Sequence, residues 1–155
     1  MNKRDTTNVD IKESPLFWPA KLKGNVLLVL DETLIPQKLH YIKVKNTKQA
    51  VDVIRQMKTR AFGQFLVVMQ TFLLEIGDAG NADLRSLQNK IQKTADALSK
   101  SRPTFPFEEV TSLVVRWAQQ AIEQNLDIRL FVPKCINGYL QGIRARRLER
   151  VRKIA

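Results

Sequence analysis

Val53-Ile54-Arg55-Gln56-Met57-Lys58-Thr59-Arg60-Ala61-Phe62-Gly63-Gln64-Phe65-Leu66-Val67-Val68-Met69-Gln70-Thr71-Phe72 runs from the end of one amphipathic pattern, through a short basic turn, into the most apolar run of the chain. Upstream, Ala50, Val53, Ile54 and Met57 recur at the spacing of one buried helical stripe, with Lys48, Asp52, Arg55 and Lys58 on other faces. Downstream, Gly63 to Ile76 is apolar nearly all round, which predicts the central, most buried helix. Arg60 stands at the junction. Free N–H groups and the dipole at a helix start favour negative charge. A guanidinium adds two parallel donors suited to phosphate or carboxylate. Arg60 is therefore the first functional candidate, set against the plainer reading of a solvated arginine on a helix–helix turn.

Working toward the N-terminus, Leu39 to Val44 alternates in part and reads as a strand. Pro36 sets a turn, and Asp31-Glu32-Thr33 breaks the short apolar run Val26 to Leu30. Gly24-Asn25 is a turn pair between that run and the segment from Leu16 to Lys23, which predicts a hairpin. Residues 15–45 thus read as a small antiparallel sheet, preceded by a flexible polar leader over 1–14.

Toward the C-terminus the period is helical. Asn46 or Thr47 can cap the first helix. Gly77 to Asn81 ends the apolar one. Asp83 opens a polar helix to about Lys100, with Leu84, Leu87, Ile91, Ala95 and Leu98 as its buried face. Ser101-Arg102-Pro103-Thr104 stops it, since the residue before proline is biased out of helical geometry. Pro106 starts another helix, with Phe107, Val110, Leu113, Val114, Trp117 and Ile122 at helical spacing, and Asn125 ends it. A last helix begins at Asp127 or Pro133, with Ile136, Leu140, Ile143, Leu148 and Val151 as its seam. The expected fold class is α+β: a small β-hairpin layer, then a bundle of about five helices over 46–155 that ends in a basic helix.

A chain of 155 residues predicts one domain, or one with a small appendage. The formal net charge of +11 invites a nucleic acid, an anionic ligand or an acidic partner surface. The lone Cys135 gives no disulfide framework and no cysteine zinc site. With His40 the one histidine, a metalloenzyme or a Ser-His-Asp hydrolase is disfavoured. The first ten residues lack the apolar core of a signal peptide, and no apolar run reaches membrane-spanning length. A cytoplasmic protein is the expectation.

Arg102, locked between Ser101 and Pro103, is the second anion candidate. Two arginines at helix ends, converging on one anion, would make a phosphate site. Asp31-Glu32 could do acid–base work, but adjacent strand residues point opposite ways and a turn or capping role is favoured. His40 reads as structural or solvated rather than as a base, and Cys135 as an ordinary half-buried thiol. The run Arg144, Arg146, Arg147, Arg150, Arg152 and Lys153, opposed only by Glu149, is either a nucleic-acid-binding helix or a solvated or interdomain one. It carries no aromatic residue, hence no stacking platform, and the second reading is favoured.

The order of these pieces resembles a known family. Leu30-Asp31-Glu32-Thr33-Leu34-Ile35-Pro36 resembles an L-D-Q-T-x-L-P segment of methylthioribose-1-phosphate isomerases. Tyr41-Ile42-Lys43-Val44 matches the strand that follows there. Arg60-Ala61 matches the start of an R-G-A turn opening an apolar helix, and Ser101-Arg102-Pro103-Thr104 matches an S/T-R-P-T segment. The superfamily also holds ribose-1,5-bisphosphate isomerases and regulatory subunits of translation initiation factor 2B. The match covers about Val26 to Trp117. The resemblance implies an aldose–ketose isomerase lineage of methionine-salvage type that uses no metal and no cofactor. It implies that Arg60 and Arg102 bind the sugar phosphate, with Gly63, Ser101 and Thr104 supporting the motifs. The family's glycine after the first arginine is Ala61 in this chain, and Phe62-Gly63-Gln64 replaces its A-P-A. The family's catalytic cysteine and aspartate lie in a Rossmann-like domain whose parallel α/β pattern these residues lack, so no catalytic residue is assigned. The leading expectation is the family's N-terminal, phosphate-binding domain, inactive alone. Its partners would be a phosphorylated sugar or nucleotide, and either a second copy in a homodimer or the missing domain. A non-enzymatic regulatory module like the initiation-factor branch comes second, and a basic nucleic-acid-binding protein third.

Overall fold

The computed structural model describes residues 14–154. The leader expected over 1–14 therefore lies almost wholly outside the described residues. Strands β1 (Ala20–Lys23), β2 (Val26–Leu30) and β3 (Tyr41–Val44) form an antiparallel sheet in the order β1-β2-β3. Lys23 pairs with Val26, so Gly24-Asn25 is a two-residue hairpin loop. Gly24 sits at φ +61°, a conformation that an L side chain resists. Leu27 and Val29 alternate onto the buried face of the central strand. The expected hairpin and third strand are both present.

Five α-helices follow among the described residues, and the fold is α+β. They are α1 (Thr47–Arg55), α2 (Ala61–Ala79), α3 (Leu84–Ser99), α4 (Phe107–Glu123) and α5 (Ile128–Ile154). Asn46 caps α1 by accepting from the Gln49 N–H at 2.9 Å, and Asp83 caps α3 through the Ser86 N–H at 2.8 Å. α2 is the centre of the molecule. Leu66, Val67, Val68, Met69 and Phe72 are fully buried, and the helix packs on β1, β2 and every other helix. Its Gln70 reaches the outer side of β1. There Nε2 donates to the Ala20 carbonyl at 2.8 Å, and Oε1 accepts from the Leu22 N–H at 3.1 Å.

Several boundaries differ from the periodic reading. α1 stops at Arg55, so Met57 lies outside the stripe, exposed and at φ +52°. α2 runs through Gly77 and closes at Gly80, where φ is +56°. Leu84 and Ile122 fall on the first turn of α3 and the last turn of α4 and are exposed. Thr94, Thr111, Ala118 and Ala121 complete the buried faces instead. α5 takes the earlier of its two expected starts and carries Pro133 inside it. Ile136 and Leu140 of its seam are buried, and Ile143, Leu148 and Val151 are half-buried. No helix among the described residues is long and apolar enough to cross a membrane.

Candidate functional site

Arg60 is the N-cap residue of α2, with extended backbone and an exposed side chain. The N–H groups of Ala61, Phe62 and Gly63 in the first turn have no partner within the helix. Glu32, from the turn after β2, secures the approach. Its carboxylate accepts the Arg60 N–H at 2.8 Å and the Thr59 hydroxyl, and its own N–H donates to the Lys58 carbonyl at 2.8 Å. Asp31 caps the short 3-10 turn Glu32–Leu34 by accepting from the Thr33 N–H at 3.0 Å, and it lies 3.9 Å from Lys58 Nζ. Both carboxylates thus serve turns, the role favoured for them on sequence. The Glu32 charge offsets part of the positive field at the helix start.

Gly63 has ordinary helical backbone. What it supplies is absence: a Cβ would lie 1.8 Å from Thr59 Oγ1. Next to it, Gln64 is fully buried. Its Nε2 donates to the Thr59 carbonyl at 2.8 Å, and its Oε1 accepts from Arg102 Nη1 at 2.9 Å. The half-buried Arg102 guanidinium also lies over the Phe105 ring, 5.1 Å from its centre. Through Gln64 the turn between α3 and α4 is tied to the start of α2, which places Arg102 beside the helix that Arg60 opens. Ser101 spends its hydroxyl on the Leu98 carbonyl at 2.6 Å, while Thr104 is exposed.

The basic end of α5 also reaches this region. The guanidinium carbon of Arg147 is 3.8 Å from the centre of the Phe62 ring and 5.2 Å from that of Phe17. Arg144 lies over Phe17 and Trp18, at 5.2 and 5.3 Å. The absence of aromatic residues within the basic run is thus made good by three rings from elsewhere in the chain. Burial, and then the charge of Arg150, pull the Arg147 pKa below the usual arginine value. Cys135 lies within α5, away from a helix start. Burial pushes its thiol up, against a smaller opposite effect of Lys134, so it is no activated nucleophile. His40 is exposed, and its carbonyl accepts the Asp31 N–H at 2.9 Å.

The sequence reading gave Gln64 and Phe62 no role at the site and placed Arg147 only in the basic run. Gln64 had a signal, an amide in the first turn of the most apolar helix. The pairing of Phe62 with Arg147 had none, because nothing local ties α5 to α2.

No family profile matches the sequence. In fold, the chain is similar to two solved structures. One is 5-methylthioribose 1-phosphate isomerase from Pyrococcus horikoshii OT3, with TM-score 0.63 and 13% identity over 81% of this chain and 37% of that one. The other is the delta subunit of translation initiation factor 2B from A. fulgidus, with TM-score 0.62 and 22% identity over 77% and 36%. In sequence, it is 33% identical over 87 residues to methylthioribose-1-phosphate isomerase of Podospora anserina, covering 54% of this chain and 22% of that protein. It is 25% identical over 112 residues to 5-deoxyribose 1-phosphate isomerase of Moorella thermoacetica, covering 72% and 29%. The chain spans between 22% and 37% of the length of the curated relatives it matches. It therefore resembles sugar-phosphate isomerases of the methylthioribose-1-phosphate type in sequence, and such an isomerase and the initiation factor 2B subunit in fold, over part of those proteins' length.

Proposed function

We propose that these 155 residues form the sugar-phosphate-binding part of an aldose–ketose isomerase of the methylthioribose-1-phosphate type. The observation that carries this reading is the 2.9 Å bond from Arg102 Nη1 to Gln64 Oε1. It sets a second guanidinium beside the helix start that Arg60 caps. A phosphate there would meet first-turn N–H groups, the positive end of a long helix and two arginine forks. Arg60 and Arg102 bind in this reading, Gln64 positions Arg102, and Gly63 lets Thr59 close the turn. No described residue takes the proton transfer of isomerisation, so the 155 residues alone turn over no substrate.

Calorimetric titration of the chain with methylthioribose 1-phosphate tests the reading. R60Q and R102Q are each expected to weaken binding about tenfold or more, the value of a charge-assisted hydrogen bond. Unchanged affinity in both variants would sink the assignment. An isomerisation assay on the isolated chain should stay at background, and turnover above it would overturn the inactive part of the reading. A second reading is a non-enzymatic regulatory module, favoured by the likeness in fold to the initiation-factor subunit. The same arginines would then hold a phosphorylated effector, and a stable protein partner would be recovered with the chain.

A further inference from the structure

α5 runs antiparallel to α2, and two of its arginines meet opposite ends of that helix. Arg129 reaches the carbonyl end, where its Nε donates to the Gly80 carbonyl at 2.8 Å. A cation there complements the negative end of the helix dipole. About five turns further along α5, Arg147 reaches the amide end, over the ring of Phe62. A cation there faces the positive end of the same dipole, which by itself is unfavourable.

The surroundings sharpen the conflict. Arg144 and Arg147 are one turn apart on α5 and repel each other. Among the described residues neither guanidinium has a carboxylate within ion-pair distance. Arg147 Nε is buried, with no acceptor among the described residues. The faces of Phe17, Trp18 and Phe62 compensate in part. They hold the charges in place without neutralising them.

The position of Arg147 is also specific. Phe62, which carries Arg147, and Gln64, which carries Arg102, are neighbours-but-one on α2 and so lie roughly 200° apart around it. The two side chains that hold these guanidinium groups therefore leave the first turn of α2 on opposite sides of the helix.

We infer that Arg147 is the second jaw of a phosphate clamp at the start of α2, facing Arg102 and set in place by Phe62, and that the ligand is a phosphate monoester dianion. The inference rests on the phosphate-site reading above and adds to it a residue from the basic helix.

The test is titration of the full chain with inorganic phosphate, followed through the backbone amide shifts of Ala61, Phe62 and Gly63. R147Q is expected to weaken binding about tenfold, as loss of a charge-assisted contact does. R150Q, which removes the same charge from an exposed position on the same helix, should bind within about twofold of wild type. If R60Q weakens binding while R147Q does not, the clamp is overturned and the phosphate site stands. If neither does, both are overturned. Equal losses in R147Q and R150Q would reduce the effect to bulk charge and overturn the clamp. Should R147Q fail to fold, F62L decides, since it keeps apolar volume but removes the ring. Weakened phosphate binding in a folded F62L supports the clamp, and wild-type affinity overturns it.

Discussion

A Cβ on Gly63 would stand 1.8 Å from Thr59 Oγ1 and 2.9 Å from Thr59 Cβ, so no rotation of the threonine alone would relieve it. Thr59 is itself fixed, by its hydroxyl on Glu32 and its carbonyl on Gln64. Gly63→Ala should therefore push on the bonds that shape the turn carrying Arg60. We expect a loss of about 1–3 kcal/mol, the usual cost of overpacking. It would be read as a lower denaturation midpoint at unchanged m-value. Gly77→Ala on the same helix is the counter-case. No atom lies within 4 Å of its missing Cβ, and the substitution should stabilise by up to about 1 kcal/mol through helix propensity. Equal stability of the two variants would refute this account of Gly63.

α3 shows what a single cap contributes to an element. The Ser86 backbone N–H on the Asp83 carboxylate is the chief cause holding its pKa below the usual carboxylate range. A carboxyl depressed in the folded state adds stability above its unfolded pKa and loses it as pH falls through the folded value. Hydrogen exchange at the first-turn amides of α3 should therefore quicken, relative to intrinsic rates, on acidification through that lowered value. In D83N, which can still cap but does not titrate, the protection should be flat with pH; a wild type equally flat would remove the role given to Asp83. Caps of this kind were legible in the sequence, as was the Gly24-Asn25 loop, because their chemistry is complete within a few residues. The ends of buried stripes were not. Spacing puts Met57 and Leu84 on apolar faces, but it cannot say that α1 stops at Arg55, before Met57, or that Leu84 on the first turn of α3 stays exposed.

At the scale of the molecule, α2 touches all that surrounds it, so damage to its middle should be global. Phe72→Ala is expected to cost about 3–5 kcal/mol, with a single cooperative transition shifted to lower denaturant for every probe. A local loss of α3 signal alone would contradict that central role. The same arrangement explains how much of the site could be read. Arg60 and Arg102 announce themselves by the turns they sit in, and their shared neighbour Gln64 by its polarity in an apolar run. Arg147 meets Phe62 only because α5 folds back along α2, and no pattern within either segment encodes that encounter. Gln70 carries a different consequence. Its side-chain amide gives and takes the two hydrogen bonds that a residue of an adjacent parallel strand would make with Ala20 and Leu22. It stands in for one link of a fourth strand, which is absent among the described residues, and so it covers that rim of the sheet. A second chain cannot extend the sheet across β1 without first displacing this amide, which leaves self-association to the far rim at β3 or to the helical surfaces.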